Sequence, residues 1–224
     1  MADKWLTFDC YGTIADWNTC MGGALAQVAG TDAGRLLTAY HRAELELEAG
    51  PGWRPYREVL QAGLAQAAER EGVALAEGGA EAFVRAWPDM PVFSDAGPAL
   101  AALREQGWRL AVLTNCDDDL FATTRPRLPV PLDLWVTAEE VGSYKPDLTH
   151  FRRFAEQTAA TSANWIHVGN SWVHDVLPAA RLGLRSVWVD RDGTGHPAKL
   201  AERRVTTMRR LPEAVDAVSA IASR

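Results

Sequence analysis

Cysteine is scarce in this sequence, with three among 224 residues, at positions 10, 20 and 116. So few cysteines exclude the disulfide framework of a small secreted protein. A signal-peptide pattern is also lacking, because Met1-Ala2-Asp3-Lys4 runs straight into an apolar segment. The chain has no uninterrupted apolar stretch of about 20 residues, the length needed to span a bilayer. We therefore expect a cytoplasmic protein that does not enter a membrane.

Basic charge is also in short supply. Lys and Arg total 23 against 29 Asp and Glu, which gives a net charge of -6. Binding to nucleic acid requires concentrated Lys and Arg. The short pairs Arg203-Arg204 and Arg209-Arg210 are interpreted as solvated surface. The composition thus argues against a nucleic-acid partner, and the length allows one sizeable core plus a smaller lobe.

Short apolar runs alternate with helical segments over much of the chain. Runs of this length separated by helices predict a parallel, doubly wound α/β sheet of Rossmann type. The predicted strands are Trp5–Phe8, Arg109–Leu113, Leu134–Thr137, Trp165–Val168 and Ser186–Val189.

The stretch from about Ile14 to Trp87 has helical and not strand periodicity. It predicts a helical cap domain over residues 14–91, inserted into an α/β core domain formed by residues 1–13 and 92–224. The acidic run Glu44-Leu45-Glu46-Leu47-Glu48 within this insertion is interpreted as one solvated helix face.

Polar residues capable of chemistry follow several of the predicted strands. Because parallel strands deliver their carboxyl ends to one edge of a sheet, these residues are expected to converge there. A carboxylate, an ammonium group and hydroxyl and amide groups together suit covalent catalysis. The residues concerned are Asp9, Thr114, Asn115, Lys145, Asn170, Ser171 and Asp175.

Four segments in this order resemble the four motifs of the haloacid dehalogenase superfamily. They are Phe-Asp-Cys-Tyr-Gly-Thr from residue 8, Leu-Thr-Asn from 113, Tyr-Lys-Pro from 144 and Gly-Asn-Ser-Trp-Val-His-Asp from 169. The resemblance spans nearly the whole chain and implies an α/β core with an inserted cap.

The first motif distinguishes branches of that superfamily. Its phosphatases carry Asp-x-Asp and further acids near the fourth motif, and carboxylates are the ligands that Mg²⁺ prefers. Here Tyr11 replaces the second aspartate and Asn170 stands where an acid is expected. The Asp-x-Tyr-Gly-Thr form is similar to the L-2-haloacid dehalogenases (type II), which implies a reaction without a metal or other cofactor.

The resemblance implies a role for each matching residue. Asp9 would displace halide from a short 2-haloacid and form an ester, with Lys145 keeping it ionised and Thr13 orienting it. Thr114 and Asn115 would hold the carboxylate of this small-molecule substrate. Asp175, with Lys145, would position or activate water.

Further residues are assigned to the substrate pocket and its surroundings. Asn170 and Ser171 would support the water, and Tyr11 and Trp172 would enclose the substrate. Arg42 is expected either to close over the leaving halide or to pair with Glu46 on the helix surface. A homodimer is possible, and His174 is expected either to titrate near neutral pH or simply to cap or pack.

Three other functions remain open from the sequence. The first is a magnesium-dependent phosphatase of the same superfamily. The second is a hydrolase that opens another carbon–heteroatom bond beside a carboxylate, such as that of a strained cyclic amine, through the same Asp9 ester. The third is a binding module without catalysis, which the presence of Asp9 and Lys145 disfavours.

Overall fold

The computed structural model describes residues 3–221, and its centre is a six-stranded sheet. The strands are β1 (Trp5–Phe8), β2 (Arg109–Thr114), β3 (Leu134–Thr137), β4 (Trp165–Gly169), β5 (Arg185–Val189) and β6 (Arg203–Val205). Their order in the sheet is β3-β2-β1-β4-β5-β6, and every neighbouring pair is parallel. The predicted parallel α/β sheet is therefore confirmed.

The edge strand β6 is the one strand that the sequence analysis did not predict. Two of its three residues are arginines whose side chains are exposed, so its sequence carries no apolar run by which a strand is found. Charged residues are common on edge strands, where they discourage pairing with another chain. The solvated arginine pair at 203 and 204 thus belongs to a strand.

Helices cover both faces of the sheet, and the sheet itself lies between two hydrophobic clusters. On one face, Phe8 and Val112 join residues of the helices at 96–105 and 211–221. On the other, Trp5 and Leu113 pack with Phe154. The helices of this core are α5 (Ala96–Glu105), α6 (Asp118–Thr124), α7 (Ala138–Val141), α8 (Thr149–Thr158), α9 (Leu177–Arg181) and α10 (Leu211–Ile221).

Four of the five α-helices between β1 and β2 lie in the stretch for which the periodicity predicts helices. They are α1 (Trp17–Ala29), α2 (Ala33–Glu48), α3 (Tyr56–Glu71) and α4 (Gly79–Arg85). Asp16 caps α1 by accepting a hydrogen bond from the Thr19 backbone NH at 3.0 Å. These four helices span residues 17–85, within the stretch 14–91 for which a cap domain is expected.

The insertion has an aromatic centre. The Phe83 ring lies 5.2 Å from the Tyr40 ring and 6.4 Å from that of Trp17, both in edge-to-face geometry. Gly63 on α3 lets the helices approach closely, since a β-carbon there would lie 3.0 Å from the Tyr40 ring. Helices α1 to α4 are thereby held together over the carboxyl edge of the sheet.

No helix within residues 3–221 is both long and apolar enough to cross a bilayer.

Replacing Phe83 with Ala should destabilise the protein by about 3–5 kcal/mol, because the fully buried ring leaves a cavity among aromatic neighbours. Urea unfolding followed by circular dichroism measures the change. The matched control is Leu45→Ala, which removes a side chain that is 40% exposed and should stay within about 0.5 kcal/mol of wild type. Equal effects of the two substitutions would contradict this account of the cap core.

Candidate active site

Asp9 lies immediately after the central strand β1 and is 8% exposed. Its backbone NH donates to the Val168 carbonyl at 2.9 Å, which fixes the residue against β4. One carboxylate oxygen lies 3.0 Å from Lys145 Nζ, and the other accepts a hydrogen bond from Thr13 Oγ1 at 2.8 Å. Burial raises the pKa of Asp9 above its ordinary value, although the Lys145 ammonium opposes that rise.

Lys145 is 1% exposed and bridges two carboxylates. Its Nζ lies 2.7 Å from Asp175 Oδ1 as well as 3.0 Å from Asp9 Oδ1. Burial alone would lower the pKa of Lys145, but Asp175 and Asp9 together raise it above its ordinary value. The lysine is therefore a permanent ammonium group between the two acids.

Asp175 is fixed from several directions. Besides Lys145, it accepts a hydrogen bond from the Ser171 backbone NH at 3.0 Å and lies 3.3 Å from His167 Nε2. Burial would raise the pKa of Asp175, yet Lys145 and His167 lower it well below its ordinary range. So low a pKa makes Asp175 a weak proton acceptor.

His167 is a site residue that the sequence analysis missed. It lies within β4, fully buried, with Nδ1 2.9 Å from Thr7 Oγ1 and Nε2 directed at Asp175. The available signal was a single polar residue inside an otherwise apolar strand. Such a residue needs a buried partner, because an unpaired polar group in a core is costly.

The turn after Asp9 is held by two distant segments. Thr13 Oγ1 accepts from the Asn170 backbone NH at 2.9 Å, and Arg191 Nη2 donates to the Thr13 carbonyl at 2.9 Å. Gly12 has a φ of +89°, and a β-carbon there would lie 2.7 Å from the Asn170 side chain. Only glycine fits this close approach. The resulting turn places Thr13 within hydrogen-bonding distance of Asp9.

A cavity of about 100 Å³ opens on Asp9 between the core and the helical insertion. It is small enough to suit a substrate of only a few heavy atoms. The core contributes Asp9, Tyr11, Thr114 and Asn115, and the insertion contributes Trp17, Glu44, Glu48 and Tyr56.

Two of these lining residues correct the interpretation of the acidic run. Glu44 and Glu48 do not lie on a solvated face; their side chains are 13% and 4% exposed. They follow Tyr40 at intervals of four residues, so they continue its inward face along α2. Glu46 lies on the outer face, paired with Arg70 at 2.6 Å.

The structure does not bring Arg42 to the cavity. Its side chain is exposed on α2, on the face turned away from Tyr40 and Glu44. Nor does it pair with Glu46, which takes Arg70 instead. Neither of the contacts expected for Arg42 is present in this structure, because successive α-helical residues are about 100° apart and position 42 falls between the inward positions.

Asn115 and Thr114 both line the cavity, but they differ in how fully their polar groups are already hydrogen-bonded. The Asn115 amide donates to the Lys145 carbonyl at 3.0 Å and to Glu48 Oε1 at 3.3 Å, while its oxygen accepts from the Lys145 NH at 2.8 Å. Asn115 thus fixes the lysine backbone and its amide is already engaged. The Thr114 hydroxyl contacts the Cys116 sulfur at 3.7 Å, a weak interaction that leaves it able to bind a substrate.

Of three further predicted residues, Tyr11 lines the cavity, whereas Ser171 and Trp172 do not. Tyr11 lines it, as expected, and its hydroxyl donates to Thr124 at 3.0 Å. Ser171 Oγ accepts from the His174 backbone NH at 3.1 Å and so caps the following turn. Trp172 stacks on His196, with ring centroids 5.3 Å apart, outside the cavity that contains Asp9.

The residues around Asp9 do not fit a magnesium site. All four oxygens of Asp9 and Asp175 already accept from Lys145, Thr13 or the Ser171 NH. Across residues 3–221, no three or more Asp, Glu, His or Cys side chains gather in an arrangement able to hold a metal ion. The Lys145 ammonium is the counter-charge that these two acids already share.

Comparison with known proteins gives a family match over most of the chain. A model of the haloacid dehalogenase-like hydrolases matches residues 4–183. An (S)-2-haloacid dehalogenase 4A of Burkholderia cepacia is 24% identical over 83% of this chain and 82% of its own length. A phosphoserine phosphatase of Thermus thermophilus is 35% identical, over 65% of this chain and 59% of its own length.

Among solved structures, the fold is similar to that of an L-2-haloacid dehalogenase from Xanthobacter autotrophicus with chloropropionic acid covalently bound. The TM-score is 0.81 at 18% identity, covering 96% of this chain and 98% of the other. At this identity the likeness establishes a shared fold.

Replacing Gly169 with Ala should lower activity by about 100-fold, the effect of a small displacement of reacting groups. A β-carbon at this position would lie 2.3 Å from Asp175 Cγ, so the carboxylate must move from Lys145. The effect is measured as steady-state turnover, after circular dichroism has shown that the variant folds like the wild type. Gly23→Ala is the control, because its β-carbon meets no atom within 4 Å. Full activity in the Gly169→Ala variant would contradict the need for a fixed Asp175.

Proposed function

The chain belongs to the haloacid dehalogenase-like hydrolases, and we propose that it displaces halide from a short 2-haloacid through a covalent ester on Asp9. The observation that carries this proposal is the buried Lys145 ammonium, which bridges Asp9 and Asp175 beside a small cavity. It supplies an ionised nucleophile, held in position by protein groups alone.

In the first step the Asp9 carboxylate attacks the halogen-bearing carbon. The carbon–halogen bond breaks, its electron pair leaves with the halide, and an aspartyl ester forms. Halide is a stable anion, so this step needs no proton donor, which agrees with Tyr11 at the position two residues after the nucleophile. Thr13 and Lys145 hold the carboxylate toward the cavity.

In the second step water attacks the ester carbonyl of Asp9. The 2-hydroxy acid leaves, the carboxylate is regenerated, and one proton is released overall. The low pKa of Asp175 favours a positioning role over that of proton acceptor. Asp175 is therefore proposed to hold Lys145 against Asp9 throughout both steps.

Similarity to named proteins supports the dehalogenase over the phosphatase. The (S)-2-haloacid dehalogenase relative is matched over more than four fifths of both chains, whereas the phosphoserine phosphatase is matched over about three fifths of its length. The engaged oxygens of Asp9 and Asp175 point the same way, since a phosphatase of this superfamily needs carboxylates free for Mg²⁺.

A substrate panel tests this function. Purified protein is given 2-chloropropionate, 2-bromoacetate and a chromogenic phosphomonoester, each with and without a chelator, and free halide and phosphate are measured. We expect halide release that the chelator does not change. Removal of the attacking oxygen in Asp9→Asn should lower that rate by several orders of magnitude.

Two results would contradict the proposal. One is phosphate release that a chelator abolishes, without any halide release, which would indicate the magnesium-dependent phosphatase. The other is full halide release by Asp9→Asn, which would remove Asp9 from the chemistry. Thr123→Ala serves as the control, because its partly buried hydroxyl bonds only the Leu120 carbonyl of its own helix.

A further inference from the structure

The cavity that contains Asp9 is acidic beyond what its nucleophile requires. Its wall from the helical insertion carries Glu44 and Glu48. The groups able to carry positive charge beside these acids are two histidines: His41 Nδ1 lies 3.5 Å from Glu44 Oε2, and His174 Nε2 lies 3.1 Å from Glu48 Oε2. Lys145 is already committed to Asp9 and Asp175. No arginine among residues 3–221 lines this cavity. The wall is thus suited to a cation and unsuited to a second anion.

Glu48 has an acceptor that the described residues leave without a hydrogen bond. Its side chain is 4% exposed, and Oε1 accepts from Asn115 Nδ2 at 3.3 Å. Oε2 has no hydrogen-bond partner among residues 3–221, because the nearby His174 Nε2 is not aligned as a donor. A buried carboxylate oxygen without a donor is costly, so a donor from a bound molecule would stabilise it.

Glu44 adds charge beside Glu48 through a network of donors. Its Oε1 accepts from the Tyr56 hydroxyl at 2.5 Å and from the Tyr40 hydroxyl at 3.2 Å. Burial would raise the pKa of Glu44, but the hydrogen bond and charge of His41 lower it below its ordinary value. Glu44 therefore remains ionised where it meets the cavity.

We propose that Glu48, with Glu44, forms a subsite for a positively charged nitrogen on the substrate. This inference rests on the proposed Asp9 chemistry and deepens its substrate class: small substrates that carry an amino group as well as the carboxylate are preferred over simple 2-haloacids. The ammonium group would donate to the free Glu48 oxygen, and the Thr114 hydroxyl is left to meet the substrate carboxylate.

The same subsite suits a strained cyclic amino acid, in which the charged nitrogen is itself the leaving atom. Asp9 would attack the ring carbon bonded to nitrogen, and the carbon–nitrogen bond would break with its electron pair passing to nitrogen. The protonated ring nitrogen thereby becomes a neutral amine, which binds a proton from solvent. Water then hydrolyses the ester and releases an amino hydroxy acid.

A matched pair of substrates tests the subsite. The compounds 3-amino-2-chloropropionate and 2-chloropropionate share the reacting carbon and differ by one amino group. Azetidine-2-carboxylate is included as the ring form. We expect kcat/KM for the better amino compound to exceed that for 2-chloropropionate by at least about tenfold, the lower end for a hydrogen bond to a charged group.

Glu48→Gln keeps the shape of the side chain and removes its charge, so it should reduce that preference about tenfold. Glu46→Gln is the control on the same helix, since Glu46 faces outward onto Arg70 and should leave the preference unchanged. Melting temperatures of both variants establish that they fold. A preference that survives Glu48→Gln would overturn the subsite.

Calorimetric binding of 3-aminopropionate and propionate separates this inference from the proposed function. Tighter binding of the amino compound, lost in Glu48→Gln, supports the subsite even if no compound is turned over. Release of halide from 2-chloropropionate without any amino preference, in turnover or in binding, would overturn the subsite and leave the Asp9 chemistry standing.

Discussion

The position of one buried ammonium group between two buried carboxylates governs the rest of this structure. Asp9 and Asp175 follow different strands and would repel each other in a medium of low dielectric constant. Lys145 reaches both within hydrogen-bonding distance. Because buried charges are tolerated only when they are paired and hydrogen-bonded, removal of Lys145 would leave two buried carboxylates without their shared counter-charge.

The surrounding groups keep that triad in register with the sheet. Thr13 donates to the Asp9 oxygen that Lys145 does not contact, while the Ser171 NH and His167 fix Asp175. Asn115 binds both backbone groups of Lys145 and also reaches Glu48 on the helical insertion. Asn115 therefore links Lys145 to the helical insertion at Glu48, which His174 of the core also contacts at 3.1 Å.

The acidic wall affects which substrates the cavity would accept and leaves the chemistry proposed for Asp9 unchanged. A lysine that already neutralises two carboxylates has little charge left for a third, and Glu44 and Glu48 make the cavity more negative still. The nucleophile and its supports agree with ester formation on Asp9, as proposed for a 2-haloacid. The wall favours substrates in which the carboxylate is accompanied by an ammonium group.

The sequence predicted the features that depend on local pattern and topology. Asp9, Lys145 and Asp175 converge because parallel strands share a carboxyl edge, and the hydrophobic rhythm located five of the six strands. The rest depended on which way a helix faces. Arg42, Glu44 and Glu48 lie within seven consecutive residues, and only the packing of α2 on α3 turns two of them inward.

Charged residues are usually solvated, so the acidic run was assigned to the surface although its spacing continues from Tyr40. His167 and β6 were missed for different reasons. His167 lies within a predicted strand, but its partners in the fold are not apparent from the sequence, and one of them, Thr7, is 160 residues away. The three-residue strand β6 is rich in arginine and lacks the apolar signal by which strands are found, so that only its pairing with β5 reveals it.

A single turnover in water enriched in oxygen-18, with protein in excess over substrate, tests the central claim most directly. If Asp9 forms the ester and water attacks its carbonyl, the label enters the peptide that contains Asp9, and the first product remains unlabelled. Mass spectrometry of the digested protein and of the product measures both. Label found at once in the product, with Asp9 unlabelled, would contradict the account.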